Sequence, residues 1–333
     1  MKISIALAAY NGEAFLPAQL ASFAAQTRAP DELVVTDDGS TDGTRRVVED
    51  FGRTVPFAVR YQANARNLGF GQNFSRALSL CTGDLVFLSD QDDAWLESKI
   101  ARMTAVAAEH PDKACFMNDA LLADGELRPT GQTKLGQIRA SGLGDDTFVM
   151  GCCVTVRRSL LDLILPIPAH LPSHDSWLVQ TADVLGLTLR LAEPLQLYRR
   201  HGGNVSKFFV NDIDRMPLAE RLKVRISRSV VRRNSTANID RELMFMTAIC
   251  GRIVERREQV AALVGADRAA GIEAALVRRV GFLERRRRIR DLGPLQRPGA
   301  LTALWREGGY AVSGGLKGLI KDAIGSGPAP GVK

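Results

Sequence analysis

The sequence predicts an α/β layer fold followed by a basic helical extension, and three observations point there. Through the front of the chain short β-rich runs alternate with amphipathic stretches, as they do where helices cover a sheet. Beyond Ser206 strand signals fade and apolar residues recur at helical spacing. Charge divides at the same place: Ser206–Lys333 holds 25 Lys+Arg against 13 Asp+Glu, a balance of +12, whereas Met1–Val205 holds 19 against 24, a balance of −5. We therefore expect two parts, 1–205 and 206–333, in line with the roughly two domains that a chain of 333 residues supports.

Taken in order, Ile3–Ala8 is the first strand candidate, and Ala14–Ala25 reads as a helix with Phe15, Leu20 and Phe23 on its apolar side. Leu33–Val35 is a second strand, followed by a helix from Thr41 to about Phe51. Phe57–Tyr61 is a third strand, Gly71–Leu80 a helix, and Leu85–Leu88 a fourth strand. Trp95–Glu109 reads as a helix and Cys115–Met117 as a short strand. Ala123–Asp146 shows no period, and a connection that long is expected to be a functional loop over a site. In the extension, Leu218, Leu222, Ile226 and Val230 form a stripe interleaved with Arg221, Lys223, Arg225 and Arg228. Asn238–Ala262 and Asp267–Arg290 read as two helices broken near Gly265, the second ending in the run Arg285–Arg288. The tail from Gly325 is expected to be disordered.

Hydrophobic content of 45% and charged content of 24% are those of a globular protein. The five cysteines are odd in number and lack zinc-ligand spacing, so a disulfide framework is not expected. No apolar segment approaches the ~20 residues of a membrane span. These features read as a cytoplasmic protein, soluble or peripheral on the inner face of the membrane.

The chemistry concentrates in short polar segments at strand ends. Asp90-Gln91-Asp92-Asp93 follows the apolar run Leu85–Leu88 directly. Three carboxylates in four positions repel one another and resist burial, so a cation is expected among them. Carboxylate oxygens at a strand end suit Mg²⁺ or Mn²⁺, shared with a substrate's phosphates. The competing reading is a solvated acidic turn capping the helix that begins near Trp95. Asp37-Asp38-Gly39-Ser40 closes the second strand in a tight turn, again with a cap as the bland alternative. The glycines of Asn64–Asn73, a stretch that includes Asn67, let backbone approach a ligand. No GxGxxG follows the first strand, which removes the main support for a dinucleotide-binding dehydrogenase.

Together these segments resemble the inverting family 2 glycosyltransferases of the GT-A fold. Ile5-Ala6-Leu7-Ala8-Ala9-Tyr10-Asn11-Gly12 is similar to the family's first strand and nucleotide loop, and Asp37–Asp42 to its second-strand motif. Ser89–Trp95 resembles the DXD region of the branch that includes bacterial rhamnosyltransferases. His174-Asp175-Ser176-Trp177 and Tyr198–Asn204 look like that branch too. The resemblance implies a mixed central sheet with a C-terminal helical extension. It places Tyr10, Asp38, Asn67, Asp90 and Asp92 on the nucleotide, and Asp92, Asp93 and His201, with Arg200, at the metal and diphosphate. Asp175 would be the catalytic base; the bland reading of His174-Asp175 is a helix N-cap with Trp177 in the core.

The activity so implied is metal-dependent, inverting transfer of a sugar from a nucleotide-sugar donor to a saccharide acceptor, lipid-linked or free. L-rhamnose from dTDP-L-rhamnose, in surface polysaccharide synthesis, is the preferred donor and setting. The basic half, with its amphipathic stripe, fits an anionic membrane surface better than nucleic acid, since it has few aromatics for stacking. Two alternatives stand beside this reading. A sugar-1-phosphate nucleotidyltransferase should carry a Gly-rich basic loop after the first strand, where this chain has Ala9-Tyr10-Asn11-Gly12-Glu13. A non-catalytic basic adaptor would bind its lipid or nucleic acid regardless of the acidic cluster.

Overall fold

The computed structural model describes residues 1–201, 236–293, 295–312 and 315–324. The chain forms two compact units, Met1–Met216 and Pro217–Lys333.

The first unit is built on a parallel layer. Strand β1 (Ile3–Ala9) is apolar apart from the buried Ser4 and pairs on both sides, as a central strand must. Helix α1 (Leu16–Ala24) leads to β2 (Glu32–Asp37), α2 (Thr44–Gly52) to β3 (Ala58–Ala63), and α3 (Phe70–Leu80) to β4 (Leu85–Ser89). These strands run parallel in the order β3-β2-β1-β4. The chain moves outward from β1 to β3 and then returns to the other side of β1. A crevice therefore opens at the carboxyl ends of β1 and β4, the switch point where α/β sheets take ligands.

Beyond β4 the sheet becomes mixed. A short β5 (Ala94–Trp95) precedes α4 (Lys99–Glu109), and β6 (Cys115–Ala123) leads to β7 (Pro129–Thr133) and α5 (Lys134–Ala140). Strand β8 (Val154–Arg157), α6 (Arg158–Ile164), α7 (His174–Leu185) and β9 (Thr188–Arg199) complete the unit. The order continues β4-β8-β6-β9-β5: β8 is antiparallel to β4 and β6, β6 and β9 are parallel, and β5 is antiparallel to β9. Ile5, Leu7, Leu33, Val35, Phe87, Phe23, Trp95 and Phe116 meet in one core against α1 and α4.

Several sequence expectations need correction. The segment Ala123–Asp146 is not a structureless loop: β7 folds back on β6, and α5 follows with Thr133 accepting from Gly136 N at 3.0 Å as its cap. Polar and glycine-rich composition concealed that hairpin. Trp95 lies in a strand, because Ala94 and Trp95 pair with Leu197 and Gln196 of β9, and the helix starts only at Lys99. The strand at Cys115 runs on to Ala123, and the third strand is shifted to Ala58–Ala63.

The second unit is helical: α8 (Thr236–Glu255), α9 (Arg257–Val264), α10 (Ala266–Asp291), α11 (Arg297–Arg306) and α12 (Gly315–Ile324). The expected single helix over Asn238–Ala262 is interrupted at Arg256, which leaves helical geometry. Phe282, Ile289, Leu301, Leu304 and Tyr310 form its core. The arginine run is engaged within the unit. Asp322, fully buried, accepts from Arg286 Nε at 2.6 Å, Arg290 Nη2 at 2.8 Å and Tyr310 Oη at 3.0 Å. Arg287 pairs with Asp240 at 2.7 Å and Arg285 with Glu307. On α12, Leu316 and Ile320 are exposed while Leu319 packs on the core. The stripe Leu218–Val230 and the tail from Gly325 lie outside the described residues. Among the described residues no helix is long and apolar enough to cross a membrane.

Candidate functional site

Gln91 joins the two strand ends that flank the crevice. Its Oε1 accepts from Tyr10 N at 2.9 Å and its Nε2 donates to Tyr10 O at 3.0 Å. That amide clamp holds the loop after β1 against the acidic cluster after β4, and leaves the Tyr10 ring exposed. Asn11, next along, has a left-handed backbone (φ 47°) that Asn tolerates, and its Oδ1 accepts from Thr41 N at 2.9 Å. From below, Gln19 of α1 donates to Ser89 Oγ at 2.8 Å, fixing the end of β4.

At the end of β2, Asp38 is buried and its carboxylate organises the following loop. Oδ1 accepts from Asn64 Nδ2 at 2.9 Å and Leu68 N at 2.7 Å, and Oδ2 from Gly69 N at 2.8 Å. Gly69 sits at φ 80°, a conformation that a side chain would strain. Asn67 closes the same turn, donating to Asp38 O at 3.0 Å. The N-cap of α2 is Gly43, and it is Asp42 before it, not Asp38, that accepts from the first helical amide, Thr44 N, at 3.0 Å. Asp38 and Asn67 are thus brought together by one loop.

The acidic cluster does not cap a helix, since Ser98 occupies the N-cap of α4 and β5 intervenes. Asp90 is partly buried, and burial together with the charges of Asp92 and Asp175 pushes its carboxyl up to about 7. Asp92 Oδ2 lies 2.8 Å from His201 Nε2, and the His201 ring stacks on Phe15 with centroids 4.3 Å apart. Asp93 is fully buried, and burial with its acidic neighbours raises its carboxyl well above the usual range. Its Oδ1 accepts from Arg199 N at 3.0 Å and its Oδ2 from Gln196 Nε2 at 3.2 Å.

Asp175 lies in the first turn of α7, where the helix dipole favours an anion. Ser173 caps the helix, accepting from Ser176 N at 3.2 Å and donating to Asp175 Oδ1. Trp177 is fully buried and donates to Ile164 O at 3.1 Å. The cap chemistry is therefore real, yet Asp175 remains near enough to raise Asp90. His174 is buried against Phe74, centroids 4.1 Å apart, with neither ring nitrogen hydrogen-bonded. Burial holds its imidazole below the usual value, against the pull of Asp175. Gly151 is required beside it, because a Cβ there would stand 2.9 Å from His174 Nε2.

Oxygens of Asp90 and Asp93 and the Cys152 sulfur lie within 4.8 Å of one another, close enough for one ion. Chemistry divides that trio. A buried thiol is a soft ligand, ill suited to Mg²⁺ or Mn²⁺, and both Asp93 oxygens already accept protein hydrogen bonds. Asp90 and Asp92 are the better hard-ion donors, and the raised Asp90 carboxyl marks negative charge that a divalent ion would relieve. Sequence reasoning missed Gln91, Lys99, Cys152 and Gln196. Gln91 stands inside the acidic cluster, where its amide is a readable signal, whereas the other three carry none locally.

A family model for glycosyl transferase family 2 matches residues 4–165. Residues 4–165 therefore carry the sequence pattern of that family. The chain is 30% identical over 217 residues to an uncharacterized glycosyltransferase of Nostoc sp., covering 61% of this chain and 66% of that relative. A dTDP-rhamnosyl transferase of Shigella flexneri is 34% identical over 98 residues, 28% of this chain and 34% of that one. The alignments therefore span just under two thirds, or less, of these curated relatives. Residues 1–349 of S. aureus TarS, solved with UDP, share the fold at a TM-score of 0.52 and 20% identity, over 84% of this chain and 90% of that one. The mixed sheet of this chain is accordingly of the GT-A type.

Proposed function

We propose that the site transfers a sugar from a nucleotide diphosphate donor to a hydroxyl of a saccharide acceptor, with inversion. One observation carries the reading: Asp90, Asp92 and Asp93 gather at the β1/β4 crevice, where burial, then Asp92, then a nearby Asp175 raise the Asp90 carboxyl to about 7. A divalent ion, Mg²⁺ or Mn²⁺, held by Asp90 and Asp92 would neutralise charge growing on the departing diphosphate. Tyr10 offers an exposed ring directly after Ala9, whose main-chain oxygen accepts from Asp38 N at 2.9 Å, and Asp38 with Asn67 orders the following loop, features suited to a nucleobase. His201 orients Asp92, and Asp175 takes the acceptor's proton as general base. A single base with in-line attack gives inversion.

Motif resemblance and the Shigella flexneri relative favour dTDP-L-rhamnose as donor, in surface polysaccharide synthesis. Attachment to an anionic membrane surface, presenting a lipid-linked acceptor, draws support from the exposed Leu316 and Ile320 of α12. The internal pairing of Arg285–Arg287 weakens it, and binding to anionic liposomes at low salt tests it. The donor is tested by thermal unfolding with UDP-, GDP- and dTDP-sugars, with and without Mn²⁺. A dTDP-sugar that stabilises only with the ion supports the reading; no stabilisation by any donor contradicts it.

A further inference from the structure

Asp93, grouped with the metal ligands on sequence, stands in a buried chain of hydrogen bonds crossing three elements. Lys99, the first residue of α4, is fully buried, with Nζ 4.0 Å from the centroid of the Trp95 ring. Nζ donates to the main-chain oxygen of Cys152 at 3.0 Å and to Oε1 of Gln196. An ammonium cannot accept, so this contact fixes which end of the Gln196 amide faces Lys99. The amide nitrogen then points the other way, to Asp93 Oδ2 at 3.2 Å. Asp93 Oδ1 in turn accepts from Arg199 N at 3.0 Å, while Arg199 Nε donates to Asp92 O at 2.6 Å.

We propose that Asp93 is a positioning residue, linked through Gln196 to Lys99 as its counter-cation, and that it does not ligate the metal. Its oxygens are directed to β9, two residues before His201 reaches Asp92. A divalent ion drawn to Asp93 would approach a buried ammonium, and like charges repel strongly where water is excluded. Lys99 also acts on Asp90, but Asp90 and Asp92 are only partly buried, where solvent screens that repulsion. A lone buried carboxylate is costly, and the Lys99–Gln196 link supplies the compensation that makes Asp93 tolerable. Asp93 thereby acts on the reaction through Arg199 and His201, by holding Asp92 in place. The ligand half of this inference rests on the metal-assisted reading above; the coupling to Lys99 does not.

The test combines thermal unfolding of Lys99→Met, Asp93→Asn and the double variant with Mn²⁺ titrations, followed by electron paramagnetic resonance, of wild type, Asp92→Asn and Asp93→Asn. Each relay single variant should lose about 10 °C in Tm, and the double variant no more than the worse single, since it removes both buried charges and leaves neither without its counter-charge. Mn²⁺ affinity should hold within about threefold in Asp93→Asn and weaken at least about tenfold in Asp92→Asn, a gap of roughly 1.4 kcal/mol or more for the latter. Donor hydrolysis by Asp93→Asn should show a lowered kcat with KM nearly unchanged. Additive Tm losses would overturn the link to Lys99. Equal weakening of Mn²⁺ in both variants would overturn the positioning role. Wild type that binds no Mn²⁺ would sink the metal-assisted reading alone, leaving the double variant to decide the relay. If Asp93→Asn does not fold, Gln196→Met cuts the same chain: it should lose Tm and keep Mn²⁺ affinity, and the opposite pattern overturns the proposal.

Discussion

His201 Nε2 lies 2.8 Å from Asp92 Oδ2 while the same imidazole stacks on Phe15 at 4.3 Å. The stack sets the ring plane and the hydrogen bond sets the carboxylate, so both residues act on Asp92 through one ring. His201→Ala and Phe15→Ala should each slow donor turnover about tenfold, or roughly 1.4 kcal/mol of barrier. Steady-state kinetics on the double variant should show no further loss beyond His201→Ala, because the two losses share one cause. Multiplying losses would mean that Phe15 acts independently.

Asp38 is the anchor of the loop at 64–69. Asp38→Ala leaves donors from Asn64, Leu68 and Gly69 without their acceptor, at a cost of about 3 kcal/mol. Thermal unfolding should register that loss, and donor KM should rise more than kcat falls. An unchanged Tm would show that the loop holds itself.

In Asp175→Asn the cap geometry can persist while the proposed base is lost. Donor binding should stay near wild type, and transfer should fall at least about a hundredfold. Calorimetric titration of donor alongside product assay separates the two, and normal turnover excludes the role.

Glu32 predicts an acid limb in stability. Burial alone would raise its carboxyl, but hydrogen bonds from Ser4 and Thr82 and the charge of Arg60 outweigh it, leaving it below the ordinary 4.5. Its stabilising contribution is therefore present above pH 4.5 and is lost as pH falls through the lowered folded value. Glu32→Gln should flatten the fall in Tm below that pH, and an unaltered acid limb would refute the assignment.

Asp322→Ala removes the buried carboxylate that two buried guanidinium groups share and should destabilise the second unit by about 3–5 kcal/mol. Arg288→Ala, which removes a side chain 77% exposed, should leave Tm unchanged. Thermal scans of the pair check both.

How much of this was legible in the sequence follows from distance along the chain. The parallel layer β1–β4 and its strand-end acids were readable, because buried strands are continuous apolar runs and each motif sits directly after one. Pairing across the chain was not. Lys99 reaches Gln196 over 97 positions and Cys152 over 53, and nothing beside Lys99 distinguishes a buried ammonium from a solvated one. Trp95 looked helical because its strand partner is Gln196, far downstream. The internal neutralisation of the arginine run was not readable either, because Asp322, which pairs with Arg286 and Arg290, lies 36 and 32 positions away.

The most direct test of the account is release of nucleoside diphosphate from a panel of UDP-, GDP- and dTDP-sugars by wild type and Asp92→Asn, with Mn²⁺ and after chelation. The account predicts that wild type consumes a donor only with the ion, and that Asp92→Asn does so at least about a hundredfold more slowly. Equal rates in the chelated enzyme, or full activity in Asp92→Asn, would contradict it.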